Sequence, residues 1–203
     1  MPTSTLTPPS FTLHPLYGGA LACLFPSTFT DASELRQVPD NQEVYLNSHG
    51  YTSLVVEILE RVEKGSDREA LEWHLKDITD GEDDGDGDGA VKVWAVGEGV
   101  LGQMGNTASA FTLLATAPPG TKHRGRAHEP DFVGIALLLV RLAEQKTDIL
   151  VSVNVPHVAG EYEPGEVDLQ EGRLGRMLEE GLRIREKVME SLEVRDWGLF
   201  VQE

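Results

Sequence analysis

Carboxylates are the most concentrated chemical groups in the first third of the chain. A cluster of such groups can attract the basic side chains of a partner protein and can also serve only as a solvated surface. The residues concerned, with one arginine among them, are Asp31, Arg36, Asp40, Glu43, Glu57 and Glu60. Their spacing alone leaves both interpretations open.

A second acidic segment, Asp84-Gly85-Asp86-Gly87-Asp88-Gly89, resembles the beginning of a calcium-binding EF-hand loop. Acidic residues occupy the first, third and fifth positions of that pattern, and glycine occupies the sixth. The twelfth position, which should supply a bidentate glutamate, is Ala95, and Lys92 stands at the ninth. We therefore interpret Glu82–Asp88 as a solvated acidic loop and predict no metal site.

The segment Gly97-Glu98-Gly99-Val100-Leu101-Gly102 matches the glycine pattern of dinucleotide-binding loops. That function needs a helix beginning at the glycines, whose amides receive the pyrophosphate. Gln103–Thr107 leads instead into another apolar strand pattern. The glycines are therefore interpreted as a turn between two strands, and no cofactor is expected.

The remaining reactive side chains form no recognisable catalytic arrangement. His123 and His128 share a loop with Arg124 and Arg126, which is typical of a basic surface loop. Cys23 lies in an apolar run and is expected to be a buried hydrophobic side chain. We predict a protein that is not an enzyme.

The charge balance restricts the class of partner. The chain of 203 residues has 34 acidic and 17 basic side chains, and its net charge is −17. Nucleic acid is excluded as a partner because its phosphates would be repelled. The charge favours association with a basic protein surface, or it serves only solubility.

Targeting signals are not evident. Met1–Ser10 has no basic residue and no apolar segment of the signal-peptide type, and it is expected to be a disordered tail. The longest apolar run, Val133–Val140, is too short to span a bilayer. We expect a soluble intracellular monomer whose residues 11–203 form a single domain.

Hydrophobic periodicity predicts the elements that position these groups. Helices are expected at Asp67–Ile78 and Gly172–Leu192, with a further one at Thr52–Glu63. In this last helix Leu54, Ile58 and similar residues form the buried side, so that Glu57 and Glu60 lie together on the opposite side. The predicted strands are Ala20–Phe25, Glu43–Asn47, Ala90–Val96, Ala110–Ala117, Phe132–Leu142 and Asp148–Val155. Short connections predict that the last four strands form an antiparallel meander.

The chain resembles the Ran guanine nucleotide release factor family, small proteins that bind the GTPase Ran and support nuclear import. The similarity extends over most of Leu16–Phe200. It is most specific in the N-terminal signature and moderately specific in a central hairpin. The segments that carry it are Leu16-Tyr17-Gly18-Gly19-Ala20, Phe29–Tyr45, Ser53–Glu60, Val133–Leu137, Thr147–Pro156 and Asp196-Trp197-Gly198-Leu199-Phe200.

The resemblance implies an α/β fold, a three-layer α/β/α sandwich with a six-stranded, mainly antiparallel sheet. It also implies binding to Ran, nucleotide release and a location in the nucleus and cytoplasm. By matched position, the Ran-binding acidic surface comprises Asp31, Asp40, Glu43, Glu57 and Glu60, with Arg36 bracing it. An adaptor that binds basic partners without releasing nucleotide remains the alternative, and the need for a further Ran-binding protein stays open.

Overall fold

The computed structural model describes residues 10–79, 90–119 and 128–201 of the chain. Ten strands and two α-helices lie within these residues. The strands are β1 Phe11–Leu16, β2 Leu21–Pro26, β3 Phe29–Asp31, β4 Gln42–Asn47, β5 Ser53–Glu60, β6 Lys92–Gly99, β7 Ser109–Ala117, β8 Pro130–Leu142, β9 Thr147–Val158 and β10 Glu193–Val194. The helices are α1 Asp67–Ile78 and α2 Gly175–Ser191.

A seven-stranded antiparallel sheet is the centre of the molecule, with strand order β3-β4-β5-β9-β8-β7-β6. The prediction of six strands is therefore corrected to seven. Strands β6 to β9 are consecutive neighbours, so the predicted meander is confirmed. A separate three-stranded sheet has the order β1-β2-β10.

The predicted helix at Thr52–Glu63 is wrong, since Ser53–Glu60 is strand β5. Its apolar residues fit a helical period and a two-sided strand equally well. Pairing decides the outcome, because β5 hydrogen-bonds to β4 on one side and to β9 on the other. A central strand covered on both faces needs the continuous apolar run that also imitates a helix.

The two faces of the seven-stranded sheet bury two separate apolar clusters. On β8, Leu138 and Val140 face the cluster that contains α2 and strand β2, whereas Leu137 and Leu139 face the cluster beneath α1. The predicted three-layer α/β/α sandwich therefore needs correction, because the layer that contains α2 also includes the small β1-β2-β10 sheet.

Helix α1 has the bounds that the sequence predicts, and its N-cap explains the start. The Ser66 hydroxyl accepts a hydrogen bond from the Glu69 amide at 3.2 Å, satisfying one of the free amides at a helix start. Helix α2 is shorter than predicted and begins at Gly175, where φ is +69°.

Cys23 is fully buried in the apolar core, as predicted. Gly97 and Gly99 lie at the end of β6, and only Gly102 lies in the connection to β7, which includes a short 3-10 helix at Gly105–Thr107. The segment therefore joins two strands as predicted, but most of its glycines belong to the strand and not to the turn. The acidic loop Glu82–Asp88, the tail residues 1–9 and most of the His123–His128 loop lie outside the described residues. No helix in the described part of the chain is long and apolar enough to cross a membrane.

Candidate protein-interaction surface

The predicted acidic residues gather at one corner of the seven-stranded sheet. Strand β4 begins at Gln42 opposite Glu57, near the end of β5 at Glu60. Asp31 ends β3 opposite Tyr45. We call the five carboxylates of this region the acidic corner: Asp31, Asp40, Glu43, Glu57 and Glu60.

Strand geometry divides the acidic corner between the two faces of the sheet. Residues three apart in a strand point to opposite faces, and their Cα atoms lie about 10 Å apart. Glu57 and Glu60 therefore do not form a ridge on one side, as the helical interpretation required. Glu57 lies on the α1 face beside Val55, and Glu60 lies in register with Val56 and Ile58 on the other face.

Glu57 is the most deeply buried member of the acidic corner, with 8% of its surface exposed. Its Oε1 accepts a hydrogen bond from Gln42 Nε2 at 2.5 Å. Burial raises the pKa of Glu57, and the hydrogen bond from Gln42 only partly offsets this. The carboxylate borders a shallow cavity of about 340 Å³, which Asp77, Ser152 and Arg36 also line.

Glu43 is half-buried and is held by two tyrosines. The Tyr17 amide donates to Glu43 Oε1, and the Tyr45 hydroxyl donates to Oε2 at 3.0 Å. The Tyr17 hydroxyl in turn donates to the carbonyl oxygens of Val56 at 2.8 Å and Asn41 at 3.0 Å. Burial raises the pKa of Glu43, and these hydrogen bonds act against the shift. The contacts give a structural reason for the N-terminal signature, whose tyrosine attaches a distant turn to β4 and β5.

Asp31, Asp40 and Glu60 are more accessible. Asp31 Oδ1 accepts from the Ser33 amide at 2.8 Å and caps the 3-10 turn Ala32–Glu34. Asp40 and Glu60 are exposed. Arg36 is exposed and lines the same cavity as Glu57, but within the described residues it forms no ion pair, so its predicted bracing contact is not observed.

The acidic corner keeps its negative charge as far as the structure describes the chain. In residues 10–79, 90–119 and 128–201, none of its five carboxylates is paired with a lysine, arginine or histidine. Their hydrogen-bond donors are uncharged amides, a glutamine and a tyrosine. Such a surface can accept hydrogen bonds from the basic side chains of a partner.

Sequence reasoning missed a buried ionic network beneath this corner. Asp148 is fully buried and accepts from His74 Nε2 at 3.0 Å, from the Val62 amide at 3.0 Å and from Arg141 Nε at 3.1 Å. Arg141 also donates to Asp67 and to the Val62 carbonyl. Burial raises the pKa of Asp148, but these hydrogen bonds outweigh it and hold the pKa below its usual range. The one part of this network that the sequence could have indicated is the pair Arg141 and Asp148, which lie opposite each other on the two strands of the β8–β9 hairpin.

The network joins the segment after β5 to α1 and to the β8–β9 hairpin. His74 lies on α1, Val62 follows β5, and Asp148 pairs with Leu59 on the neighbouring strand. It therefore fixes the strand that carries Glu57. Among the residues that the structure describes, no group of three histidine, cysteine, aspartate or glutamate side chains is arranged to hold a metal ion.

Two known proteins are similar in sequence to most of this chain. The chain is 35% identical over 144 residues to a Ran guanine nucleotide release factor from Danio rerio, covering 70% of this chain and 77% of that protein. It is 34% identical over 152 residues to the nuclear import protein MOG1 of Saccharomyces cerevisiae, covering 70% of this chain and 64% of that protein.

A solved structure agrees with the sequence matches. The fold resembles the 1.9 Å crystal structure of the Saccharomyces cerevisiae Ran-binding protein Mog1p, with a TM-score of 0.71 and 26% identity. The superposition covers 95% of this chain and 100% of that one. The family described as Ran-interacting Mog1 protein matches residues 14–156, which include the whole acidic corner. The chain therefore belongs to the Ran-interacting Mog1 protein family.

Proposed function

We propose that this protein binds the GTPase Ran through the acidic corner, promotes release of its guanine nucleotide and supports nuclear protein import. The observation that carries the proposal is the set of five carboxylates that pair with no cationic side chain in the part of the chain that the structure describes. The names of the relatives support Ran as the partner. In this proposal the protein is a non-enzymatic regulator, acts as a monomer in the nucleus and cytoplasm, and needs no cofactor.

Antagonism between partner and nucleotide would account for release. GTPases of this class hold nucleotide phosphates with a lysine-containing loop and Mg²⁺. Carboxylates of the acidic corner would pair with basic groups of Ran when the phosphates leave, which stabilises the nucleotide-free state. By linkage, the protein weakens nucleotide binding by the same factor by which nucleotide weakens binding of the protein.

The size of the effect depends on how completely the charges are desolvated. Close, buried charge pairs in interfaces contribute about 1.5 kcal/mol or more each, whereas exposed pairs contribute about 0.2–1 kcal/mol. Glu57 is only 8% exposed in the free protein, so binding a partner would remove little further water from it. Asp40 and Glu60, which are exposed, are better suited to steering the encounter with Ran.

The alternative is an interaction adaptor that uses the same acidic corner but leaves the nucleotide in place. Both functions require the same negative charge, so the charge of the acidic corner does not distinguish them. A measurement of nucleotide release distinguishes them. A further Ran-binding protein would add a requirement to either function without changing the surface.

The test is release of a fluorescent guanine nucleotide from preloaded Ran, with and without this protein. Accelerated release supports the proposal, and binding of Ran without accelerated release favours the adaptor. Absence of binding, measured by size-exclusion chromatography or titration calorimetry, would contradict both functions.

A further inference from the structure

Helix α1 leaves an open cavity where β4, β5 and β9 meet on its side of the sheet. The cavity, of about 340 Å³, is the one that Glu57 borders. The sheet carries polar side chains here, at positions where a packed core would be apolar. Those from the three strands are Gln42, Glu57, Ser152 and Asn154, and Asp77 approaches from α1.

One oxygen of the Glu57 carboxylate lacks a hydrogen bond. Gln42 Nε2 donates to Oε1 at 2.5 Å, whereas Oε2 accepts from no donor among the residues that the structure describes. The residue is 8% exposed, but Oε2 is not fully enclosed, so the cavity gives a donor access to it. Because a carboxylate with little access to water gains much from an added donor, this oxygen favours an occupant that donates hydrogen bonds.

Asp77 contributes a second carboxylate to the same cavity, although it is not part of the acidic corner. It lies exposed in the last turn of α1 and pairs with no cationic side chain within residues 10–79, 90–119 and 128–201. Burial is the main cause of the raised pKa of Glu57, and the charge of Asp77 adds to it. Two carboxylates that line one cavity and repel each other favour a cationic occupant.

Arg36 also lines the cavity but does not act as that cation. Its side chain is exposed and forms neither an ion pair nor a hydrogen bond in the described part of the chain. One guanidinium against two carboxylates leaves the charge of the cavity negative. We expect Arg36 to oppose an incoming cation weakly, because like charges repel.

We propose that this cavity receives one arginine side chain of a partner protein, and that Asp77 belongs to the same binding surface as Glu57. A guanidinium carries five N–H donors in a rigid fork, so it can serve more than one acceptor at once. Its aliphatic stem would lie against Val44 and Val55, which form the apolar part of the lining. The identity of the partner as Ran rests on the proposed function, whereas the cavity and its charge do not.

The first test needs no partner protein. The probe is N-acetyl-arginine amide, and the control is N-acetyl-citrulline amide, which has nearly the same shape without the charge. Binding to the full chain is followed by NMR at constant ionic strength, using the side-chain amide signals of Gln42 and Asn154. We expect the arginine probe to shift both signals at about 10 mM and the control to bind about fivefold more weakly or worse. No shift at about 100 mM, or equal binding of the two compounds, would overturn the proposal.

Three variants test the residues with the same probe. Asp77→Asn should weaken binding about two- to fivefold, because this carboxylate is exposed. Glu72→Gln removes one negative charge from the same helix at a different cavity and should leave the affinity unchanged. Arg36→Gln should strengthen binding by up to about twofold. Unchanged affinity for Asp77→Asn would overturn the assignment of Asp77, and weaker binding by Arg36→Gln would overturn the opposing role of Arg36.

The same variants then test the connection with Ran. We expect Asp77→Asn to weaken Ran binding about three- to thirtyfold, because a protein interface desolvates the charges more than a small probe does, and we expect Glu72→Gln to bind as the unaltered protein does. Equal Ran affinity for Asp77→Asn and the unaltered protein would overturn the assignment of the cavity to Ran. If the unaltered protein does not bind Ran, the proposed function fails, and the arginine probe still decides whether the cavity binds a guanidinium.

Discussion

At the residue scale, the Glu57 carboxylate is 8% exposed, accepts a hydrogen bond from Gln42 and has no basic partner in the described part of the chain. Burial raises its pKa above the ordinary value of 4.5. A carboxyl whose pKa is raised by folding contributes stability below its unfolded pKa and loses it as pH rises through the folded pKa. At neutral pH the charge of Glu57 therefore opposes folding.

Glu57→Gln should stabilise the isolated protein at pH 7. The amide keeps the shape and can still bond to Gln42, but it removes the buried charge. We expect a gain of about 0.5–2 kcal/mol in the free energy of unfolding, shrinking as pH falls toward 4.5. Chemical denaturation at several pH values measures this. A destabilised variant at pH 7 would contradict the account of this carboxylate.

Asp148→Asn should have the opposite effect. It leaves the Arg141 guanidinium, which is 4% exposed, without its fully buried partner. Breaking a buried pair in this way costs about 3–5 kcal/mol. Because the pKa of Asp148 is lowered by folding, its contribution is present above the ordinary value of 3.8 and is lost as pH falls through the folded pKa.

A surface pair supplies the control for Asp148. Asp168 lies 2.7 Å from Arg173, and both side chains are partly exposed. Asp168→Asn should cost about 1 kcal/mol or less. Equal losses for the two variants, measured by urea unfolding at pH 7, would refute the structural importance assigned to the buried network.

At the scale of the elements, α2 lies against β8 and β9 at two glycines. A Cβ at Gly134 would stand 2.1 Å from Leu178 Cδ2, and a Cβ at Gly181 would stand 2.6 Å from Val155 Cγ2. Alanine is favoured over glycine in a helix interior by up to ~1 kcal/mol, so helix propensity alone does not explain a glycine at position 181. The structure shows that close approach of helix and sheet requires Gly181.

Gly181→Ala should therefore destabilise the protein despite the better helix propensity of alanine. Overpacking typically costs about 1–3 kcal/mol. Glu179→Ala, an exposed position on the same helix, should be nearly neutral. Thermal unfolding of both variants makes the comparison, and a stabilised Gly181→Ala would contradict the packing described for α2.

Helices and strands with one dominant sequence pattern could be predicted, whereas elements that depend on pairing with distant strands could not. The Ser66 cap and amphipathic pattern define α1, and long apolar runs with short connections define β8 and β9. Strand β5 was misassigned because its residues fit two periods and its pairing with β4 and β9 is nonlocal. β1 was missed as well, since Pro15 lies within it and its polar residues give little apolar signal.

The candidate site was predictable in composition but not in geometry. The acidic residues were found from the sequence and the family resemblance, and they do lie at one corner of the sheet. Their division between two faces followed from β5 being a strand. The Asp148 network could not be derived, because His74, Val62 and Asp148 meet only after α1 packs on the sheet.

At the scale of the whole molecule, a net charge of −17 should accelerate association with a basic partner surface. We expect the association rate with Ran to fall as salt rises from low to physiological concentration, where exposed charges are screened beyond ~8 Å. The dissociation rate should change much less. Stopped-flow association at several salt concentrations tests this, and a constant association rate would argue against electrostatic docking.

The effect of the acidic corner on Ran must be distinguished from the effect of the net charge of the whole chain. A Glu57→Gln and Glu60→Gln double variant and a Glu144→Gln and Glu179→Gln double variant both remove two negative charges, but only the first changes the acidic corner. Glutamine is preferable to lysine at Glu57, because a buried lysine would be a new uncompensated charge.

The most direct measurement is the rate at which preloaded Ran releases fluorescent guanine nucleotide with the unaltered protein and with each double variant, at physiological salt. We predict accelerated release by the unaltered protein and by the Glu144 and Glu179 variant, and release at least about tenfold slower with the Glu57 and Glu60 variant. Equal acceleration by both double variants, each shown to be folded, would contradict the assignment of the acidic corner to Ran.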